Sequence, residues 1–242
     1  MVRDAVRLLD ADPELGEGLS PDDLERARHH LVCNAVRIGP GKWDAQHAAE
    51  GRPATLGLLV IDGLILRDLD LGRRASTEVL GAGDLLRPWD ADGTFDGLPL
   101  TSRWTVLEEA RLAVLDERFL HAAVRYPSVS EALFARAVRR HRWLSVRLVV
   151  NQLVRLEDRL VLAMWGLAER WGRVTPEGVL VPMALTHSAL ARLVGARRPS
   201  VTSALGELAR ERLLERTEDG WLLRGDPAHV VDPVTERLLA PA

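Results

Sequence analysis

Residues 185–223 read LTHSALARLVGARRPSVTSALGELARERLLERTEDGWLL, and this stretch decides the architecture of the chain. Thr186 precedes an apolar periodicity made by Leu190, Leu193 and Val194, so its hydroxyl is placed to accept the first free N–H groups of a helix. Gly195 ends that helix, because glycine takes up the left-handed conformation past a helix end at little steric cost, and Gly195-Ala196-Arg197 forms a sharp turn. Pro199 suits the first turn of a second helix, where its missing N–H leaves nothing unpaired, and Val201, Ala204, Leu205 and Leu208 supply the buried stripe. At the N-terminal end the opposite face, Arg197, Arg198, Ser200, Thr202 and Ser203, is short, polar and positive, as a helix entering the major groove of DNA requires. Leu213, Leu214 and Arg216 then lead into Glu218-Asp219-Gly220, and Trp221-Leu222-Leu223 lead out, Asp-Gly between apolar runs being a strong hairpin signal. Helix, turn, helix and hairpin together spell a winged helix-turn-helix.

Composition bounds what surrounds this module. A chain of 242 residues with 47% hydrophobic content buries a sizeable core and is long enough for two domains. It has no run of about eighteen uncharged apolar residues, and its first residues lead into an acidic segment unlike a signal peptide, so the expectation is a soluble cytoplasmic protein with no membrane partner. The single cysteine, Cys33, excludes an intramolecular disulfide and a thiolate cluster. The net charge of −3 is not that of a typical DNA binder, but the charges segregate. Residues 1–25 carry two arginines and eight carboxylates, net −6, whereas residues 185–216 carry six arginines and three glutamates, net +3. Distribution is what matters, since phosphate attraction is screened over roughly 10 Å at 0.1 M salt. Almost all positive charge is arginine, whose planar fork suits phosphate and guanine alike.

Between roughly Leu31 and Asp116 the pattern changes to β-rich runs punctuated by glycine, which suggests short strands in an antiparallel sandwich or barrel. Asp62-Gly63 reads as a hairpin turn between LGLLV and LILRDL, and Gly81-Ala82-Gly83-Asp84 as a turn opening a new element. Residues 127–156, free of glycine and with proline only at the start, are long enough for about seven helical turns at 3.6 residues each. Two apolar stripes run along them, Phe134, Ala137, Leu144 and Leu148 on one and Val146, Val149, Val150, Leu153 and Val154 on the other. Two stripes need two partners, the β region and the same helix of a second subunit. Glu157-Asp158 marks the start of a further helix, RLVLAMWGLAERW, so a hinge is expected near residues 155–158. Residues 173–181 read as a polar connection and residues 226–242 as a packed tail.

The segment from Leu185 to Arg216 resembles the DNA-binding signature of the Crp-Fnr regulators, T-x-x-x-[LI]-A-x-[LV]-[VL]-G followed by R-x-[ST]-V-x-x-[AI]-L. It is matched by Thr186, Leu190, Ala191, Leu193, Val194 and Gly195, then Arg198, Ser200, Val201, Ala204 and Leu205. The resemblance implies an α+β chain: an N-terminal antiparallel, jelly-roll-like β-roll sensor over residues 1–126, a long dimerisation helix over 127–156, and a winged helix-turn-helix over 157–242. It implies a homodimeric transcription regulator on a double-stranded DNA operator, with RNA polymerase as a further partner if it activates. Arg198 aligns with the arginine that forks onto guanine O6 and N7. Arg197, Ser200, Thr202 and Ser203 fall beside bases or phosphates, and Thr186, His187 and Ser188 at the DNA backbone. Pro199 and Ser203 stand where many members carry glutamate and a second arginine, so a different operator is expected.

In the same family the β-roll holds a phosphate cassette, a Gly-Glu pair followed by Arg-Ser/Thr-Ala. Gly83-Asp84 occupies the first place. RPWDADGTFDGLPLTSRW, residues 87–104, lacks the triplet and carries three aspartates that would repel a phosphodiester, with Ser102-Arg103-Trp104 as nearest substitute. The candidate effector pocket is therefore Gly83, Asp84, Arg103 and Trp104, with Leu144 and Ser145 from the following helix, and cyclic AMP and cyclic GMP are not expected as ligands. The effector is unidentified and no cofactor is expected. Trp43, Trp89 and Trp104 read either as core or as the lining of an apolar pocket. The seven histidines are scattered, without metal-ligand spacing, so no metal site is expected. An enzyme of cupin type would need clustered histidines and a carboxylate, so no catalytic residues are assigned. A ligand-independent architectural DNA-binding protein is the alternative.

Overall fold

The computed structural model describes residues 3–45, 56–72, 74–90 and 99–225. The chain divides into two compact units, Met1–Arg142 and Trp143–Ala242. In the first, the elements are β1 (Arg3–Arg7), α1 (Leu8–Ala11), α2 (Pro21–His30), β2 (Val32–Ile38), β3 (Gly41–Trp43), β4 (Gly57–Leu71), β5 (Arg74–Leu80), β6 (Leu85–Leu86), β7 (Leu100–Leu115) and α3 (Glu117–Ala123). A long helix, α4 (Pro127–Val150), carries the chain across the division. The second unit continues with α5 (Leu156–Trp171), β8 (Arg173–Thr175), β9 (Gly178–Val181), α6 (His187–Leu193), α7 (Arg198–Arg210), β10 (Leu214–Thr217) and β11 (Gly220–Leu223).

The first unit is an antiparallel roll with strand order β1-β2-β7-β4-β5, to which β3 adds on β7 and β6 on β4. Its centre is the pairing of β4 with β7 from Gly57↔Leu115 to Leu71↔Leu100. The expected short strands on either side of Asp62-Gly63 are one continuous strand. The register shifts at Val60/Asp62 and Asp62/Leu64 mark a bulge, where β4 bends without reversing. Gly63 sits at φ +92°, and a Cβ there would lie 2.3 Å from the Glu109 carbonyl oxygen and 2.5 Å from Ala110 Cα. The Asp-Gly signal therefore buys a close backbone approach to β7. Because β4 and β7 are bent, they serve two cores. One gathers Leu59, Leu115 and Phe119 with Leu8, Leu31 and Val129, and the other gathers Val60, Ile65, Leu80, Leu112 and Trp104.

Gly81–Asp84 forms the expected turn. The Asp84 carboxylate accepts from the Gly81 N–H at 2.9 Å, the Asp84 N–H donates to the Gly81 carbonyl at 3.0 Å, and Gly83 takes φ +87°.

Along α4 the face toward the roll is Val129, Leu133, Arg136 and Arg140, which is neither of the two expected stripes. Val129 and Leu133 are in the roll's core. Arg136 donates to Asp12 at 2.7 Å and Glu14 at 3.0 Å, and Arg140 forks onto Glu78 at 2.8 and 2.9 Å. Phe134, Val138, Val146, Leu148 and Val149 are instead exposed. The helix also ends at Val150, not near Leu156. Gln152 and Leu153 bond back to Val149 and Val150, three residues away, which tightens the last turn. The Leu153 carbonyl then accepts from the Arg159 side chain, and Arg155 is extended as the N-cap of α5.

In the second unit α5 buries Leu160, Val161, Met164 and Leu167, and α6 and α5 both pack on α7. Residues 173–181 are not a loose connection. They form the hairpin β8–β9 (Thr175↔Gly178), whose β9 joins β11 in a four-stranded antiparallel sheet of order β10-β11-β9-β8. Gly178 permits this: a Cβ there would lie 2.1 Å from the Leu223 carbonyl oxygen. The tail at residues 226–242 lies outside the described residues.

Candidate DNA-binding face and sensor region

The helix-turn-helix is built from local signals. The Thr186 hydroxyl accepts from the Ala189 N–H at 3.2 Å and opens α6. Gly195 takes φ +64°, and the Ala196 N–H reaches back to the Ala191 carbonyl at 2.8 Å, a Schellman closure. α7 then starts with Arg198 and Pro199 in its first turn, behind an extended Arg197. Val201, Ala204, Leu205 and Leu208 are buried beneath it. Its other side exposes Arg197, Arg198, Ser200, Thr202 and Ser203, so the five residues expected to meet DNA share one solvent face.

Two hydroxyls on that face are tied to the helix backbone: Thr202 donates to the Arg198 carbonyl at 3.1 Å and Ser203 to the Pro199 carbonyl at 3.3 Å. His187 and Ser188, half-buried, begin α6, and His187 Nδ1 lies 3.0 Å from Thr202 Oγ1. Among the described residues neither Arg197 nor Arg198 is engaged in an ion pair. Free guanidiniums beside short hydroxyl side chains on a helix end suit phosphate and guanine together.

Several residues that support this face escaped the sequence reading. Arg147, near the end of α4, is buried and donates to the Leu193 carbonyl at 2.8 Å, while Arg159 reaches the Val194 carbonyl at 3.5 Å. These two side chains satisfy carbonyls at the end of α6, where no further helical N–H arrives. The wing is fastened to the start of α6 by Arg216 and Trp221, which both donate to the Leu185 carbonyl, at 2.9 and 3.1 Å. None of these partners is near in sequence, and only the isolated Trp221 offered a hint. The wing turns on Glu218 and Asp219, both exposed.

The sensor candidates are placed differently. Asp84 is buried, with its carboxylate on the Gly81 N–H, and the Asp84 carbonyl accepts from Val60 at 2.9 Å. Arg103 pairs in the ladder with Asp68 and forms an ion pair with Asp70 at 2.8 Å. Asp84 and Arg103 are thus attached at opposite ends of β4. Trp104 is in the core, edge-on to Trp43 at 5.7 Å with Arg67 5.4 Å over its ring, and Trp43 and Trp89 pack on the same cluster. Gly83 lies beside Arg136, 3.6 Å from its would-be Cβ. Leu144 and Ser145 lie on the part of α4 that belongs to the second unit. Residues 91–98, with two of the three aspartates of the cassette region, are outside the described residues.

Several of the roll's arginines are engaged with its own carboxylates. Burial alone would push the Arg140 guanidinium down, but its hydrogen bonds to Glu78 and the charges of Glu78 and Asp84 hold it above its ordinary value. Arg136 behaves likewise, burial being outweighed by Asp12 and Glu14. Burial pushes the Cys33 thiol up to about 12. Among the described residues no three histidine, cysteine or acidic side chains are grouped to hold a metal. No helix among them is long and apolar enough to cross a membrane.

Comparison with known proteins agrees with this arrangement. Residues 149–228 match the Crp-like helix-turn-helix domain. A "CRP-like cAMP-activated global transcriptional regulator" of Mycobacterium tuberculosis is 29% identical over 195 residues, 78% of this chain and 81% of its own length. The chain thus carries a Crp-like helix-turn-helix domain and is similar over most of its length to a transcription regulator of the CRP type. Its fold is shared with a cyclic nucleotide-binding domain containing protein of Listeria monocytogenes, at a TM-score of 0.63 and 18% identity over 90% of this chain and 97% of that one. It is shared also with FixK2 of Bradyrhizobium japonicum, at 0.58 and 14% over 88% and 100%. The chain carries the expected mixed α and antiparallel β fold, and its helix-turn-helix DNA-binding domain includes α6, α7 and the wing.

Proposed function

We propose that the chain is a homodimeric transcription regulator that binds a specific operator through α7, with an atypical sensor that does not respond to cyclic AMP. One observation carries this reading: α7 buries one stripe and presents on the other side two arginines with no ion-pair partner among the described residues and three hydroxyl side chains. Arg198 forks onto guanine. Arg197, Ser200, Thr202 and Ser203 meet neighbouring bases or phosphates, and Thr186 and Ser188 lie toward the DNA backbone.

Dimerisation is supported by α4, whose Phe134, Val138, Val146, Leu148 and Val149 are exposed large apolar side chains on a single helix. Two such helices in parallel would cover them, and a two-fold dimer reads two half-sites one DNA turn apart. We assign residues 1–126 to sensing, 127–156 to pairing and 157–242 to DNA binding, with RNA polymerase as a partner if the regulator activates.

The sensor reading rests on the spent charges. Arg103 is neutralised by Asp70 and so is not free to hold a phosphodiester, and Asp84, itself an anion, closes its own turn. The relative in Mycobacterium tuberculosis is named for cAMP activation, and this chain departs from that chemistry. We read the regulator as non-enzymatic, cytoplasmic and without a cofactor. Competition binding of the full chain to its own promoter DNA against random DNA tests the reading. A strong preference supports an operator-specific regulator, and equal competition would favour a ligand-independent architectural protein that bends DNA.

A further inference from the structure

We infer that Thr202 reads its base pair through its methyl group, as a thymine contact, and that His187 acts on DNA by positioning Thr202 instead of by touching a phosphate. The inference rests on the reading of α7 as the recognition helix and adds the chemistry of one of its contacts. A threonine hydroxyl has one proton to donate, and Thr202 gives it to the Arg198 carbonyl at 3.1 Å. His187 Nδ1 lies 3.0 Å from the same oxygen, placed to donate to it in the tautomer that carries the proton on Nδ1. The hydroxyl is thus held on two sides, by its own helix and by the first residue of α6.

The imidazole is itself braced. Its ring lies 6.1 Å from that of Trp221, which is buried and fixed to the Leu185 carbonyl through its indole N–H. Thr202 is exposed on the DNA-facing side of α7, and with its hydroxyl held between His187 and the Arg198 carbonyl the group of its side chain with no partner of its own is the methyl. In the major groove a methyl carries information, because thymine alone among the bases presents a C5-methyl there. Apolar contact between the two discriminates thymine from cytosine without any hydrogen bond. Ser203 differs: its hydroxyl donates to the Pro199 carbonyl, it has no methyl and it lacks a histidine partner among the described residues.

The test uses the full-length chain to select binding sites from random duplexes, then replaces each thymine of a half-site in turn by deoxyuridine, which removes only the methyl. One thymine per half-site should matter, its replacement weakening binding by about fourfold, the effect of one buried methyl group. Thr202→Val, which keeps the methyl and loses the hydroxyl, should keep the dependence on that one thymine methyl. Thr202→Ser should lose about fourfold on thymine DNA and become indifferent to deoxyuridine at that position. His187→Ala, by freeing the hydroxyl, should relax the preference at that one position while the preferences elsewhere in the site persist; a uniform loss on all sequences would assign it the phosphate role instead. Indifference to deoxyuridine at every position, or Thr202→Ser matching the unaltered chain while Thr202→Val fails, would overturn the inference and leave the operator reading standing. Selection of no site at all would overturn both.

Discussion

Arginine does opposite work in the roll and at the N-terminal end of α7. In the roll, Arg136, Arg140 and Arg103 each face a carboxylate of the same unit, and Arg67 lies 3.8 Å from Glu78 and over the Trp104 ring. On α7, Arg197 and Arg198 face solvent with no acidic partner among the described residues. The same side chain is a structural rivet where its charge is cancelled and a ligand-binding group where it is not. A neutralised guanidinium has little left with which to attract an anion such as a cyclic nucleotide, while an uncancelled helix end attracts one over a Debye length.

The contrast is broken most forcefully inside the roll. Arg140→Ala leaves the Glu78 carboxylate, 8% exposed, without its fork and with Arg67 at 3.8 Å as the remaining cation, and should cost about 3 kcal/mol of stability by chemical denaturation, the lower end for a broken buried pair. The double replacement Arg140→Met with Glu78→Gln should recover much of that loss, since it removes the charge as well as its partner. On the reading face, Arg198→Ala should leave the melting temperature unchanged and cost about 1–3 kcal/mol of operator affinity, with most non-specific binding retained in a gel-shift titration. An equal loss on random DNA would make Arg198 a phosphate contact.

The exposed face of α4 stands between the two regions. Leu148→Glu should shift the regulator from dimer to monomer at micromolar concentration in light scattering, and a monomeric unaltered chain would remove the premise. Calorimetry of the roll with cyclic AMP should show no binding heat, whereas micromolar binding abolished by Arg103→Ala would mean that the Asp70 pair opens for ligand. The smallest effect is chemical. With its thiol pushed up to about 12 by burial, Cys33 should resist alkylation in the folded chain at neutral pH and react only on unfolding.

What could be read from sequence was what is decided within a few residues. Thr186 as cap, Gly195 as stop and Pro199 as start each act over one helical turn, and all three stand where they were expected. Asp62-Gly63 shows the limit. A left-handed glycine serves a hairpin or a bulge equally, and only the approach of Glu109 and Ala110, nearly fifty residues away, selects the bulge. The face of α4 toward the roll was misread for a related reason. Arg136 and Arg140 look like solvent residues until Asp12, Glu14 and Glu78 are brought to them. The residues bracing the helix-turn-helix, Arg147, Arg159 and Arg216, are long-range partners of main-chain carbonyls, and no motif announces such contacts.

The claim that the uncancelled end of α7 reads DNA is tested most directly by selecting sites from a random duplex library with the full-length chain. The expected result is an inverted repeat with a guanine in each half-site that Arg198→Ala no longer requires, the half-site centres about 10–10.5 base pairs apart. A library that emerges unenriched, or an enriched motif unchanged by Arg198→Ala, would contradict it.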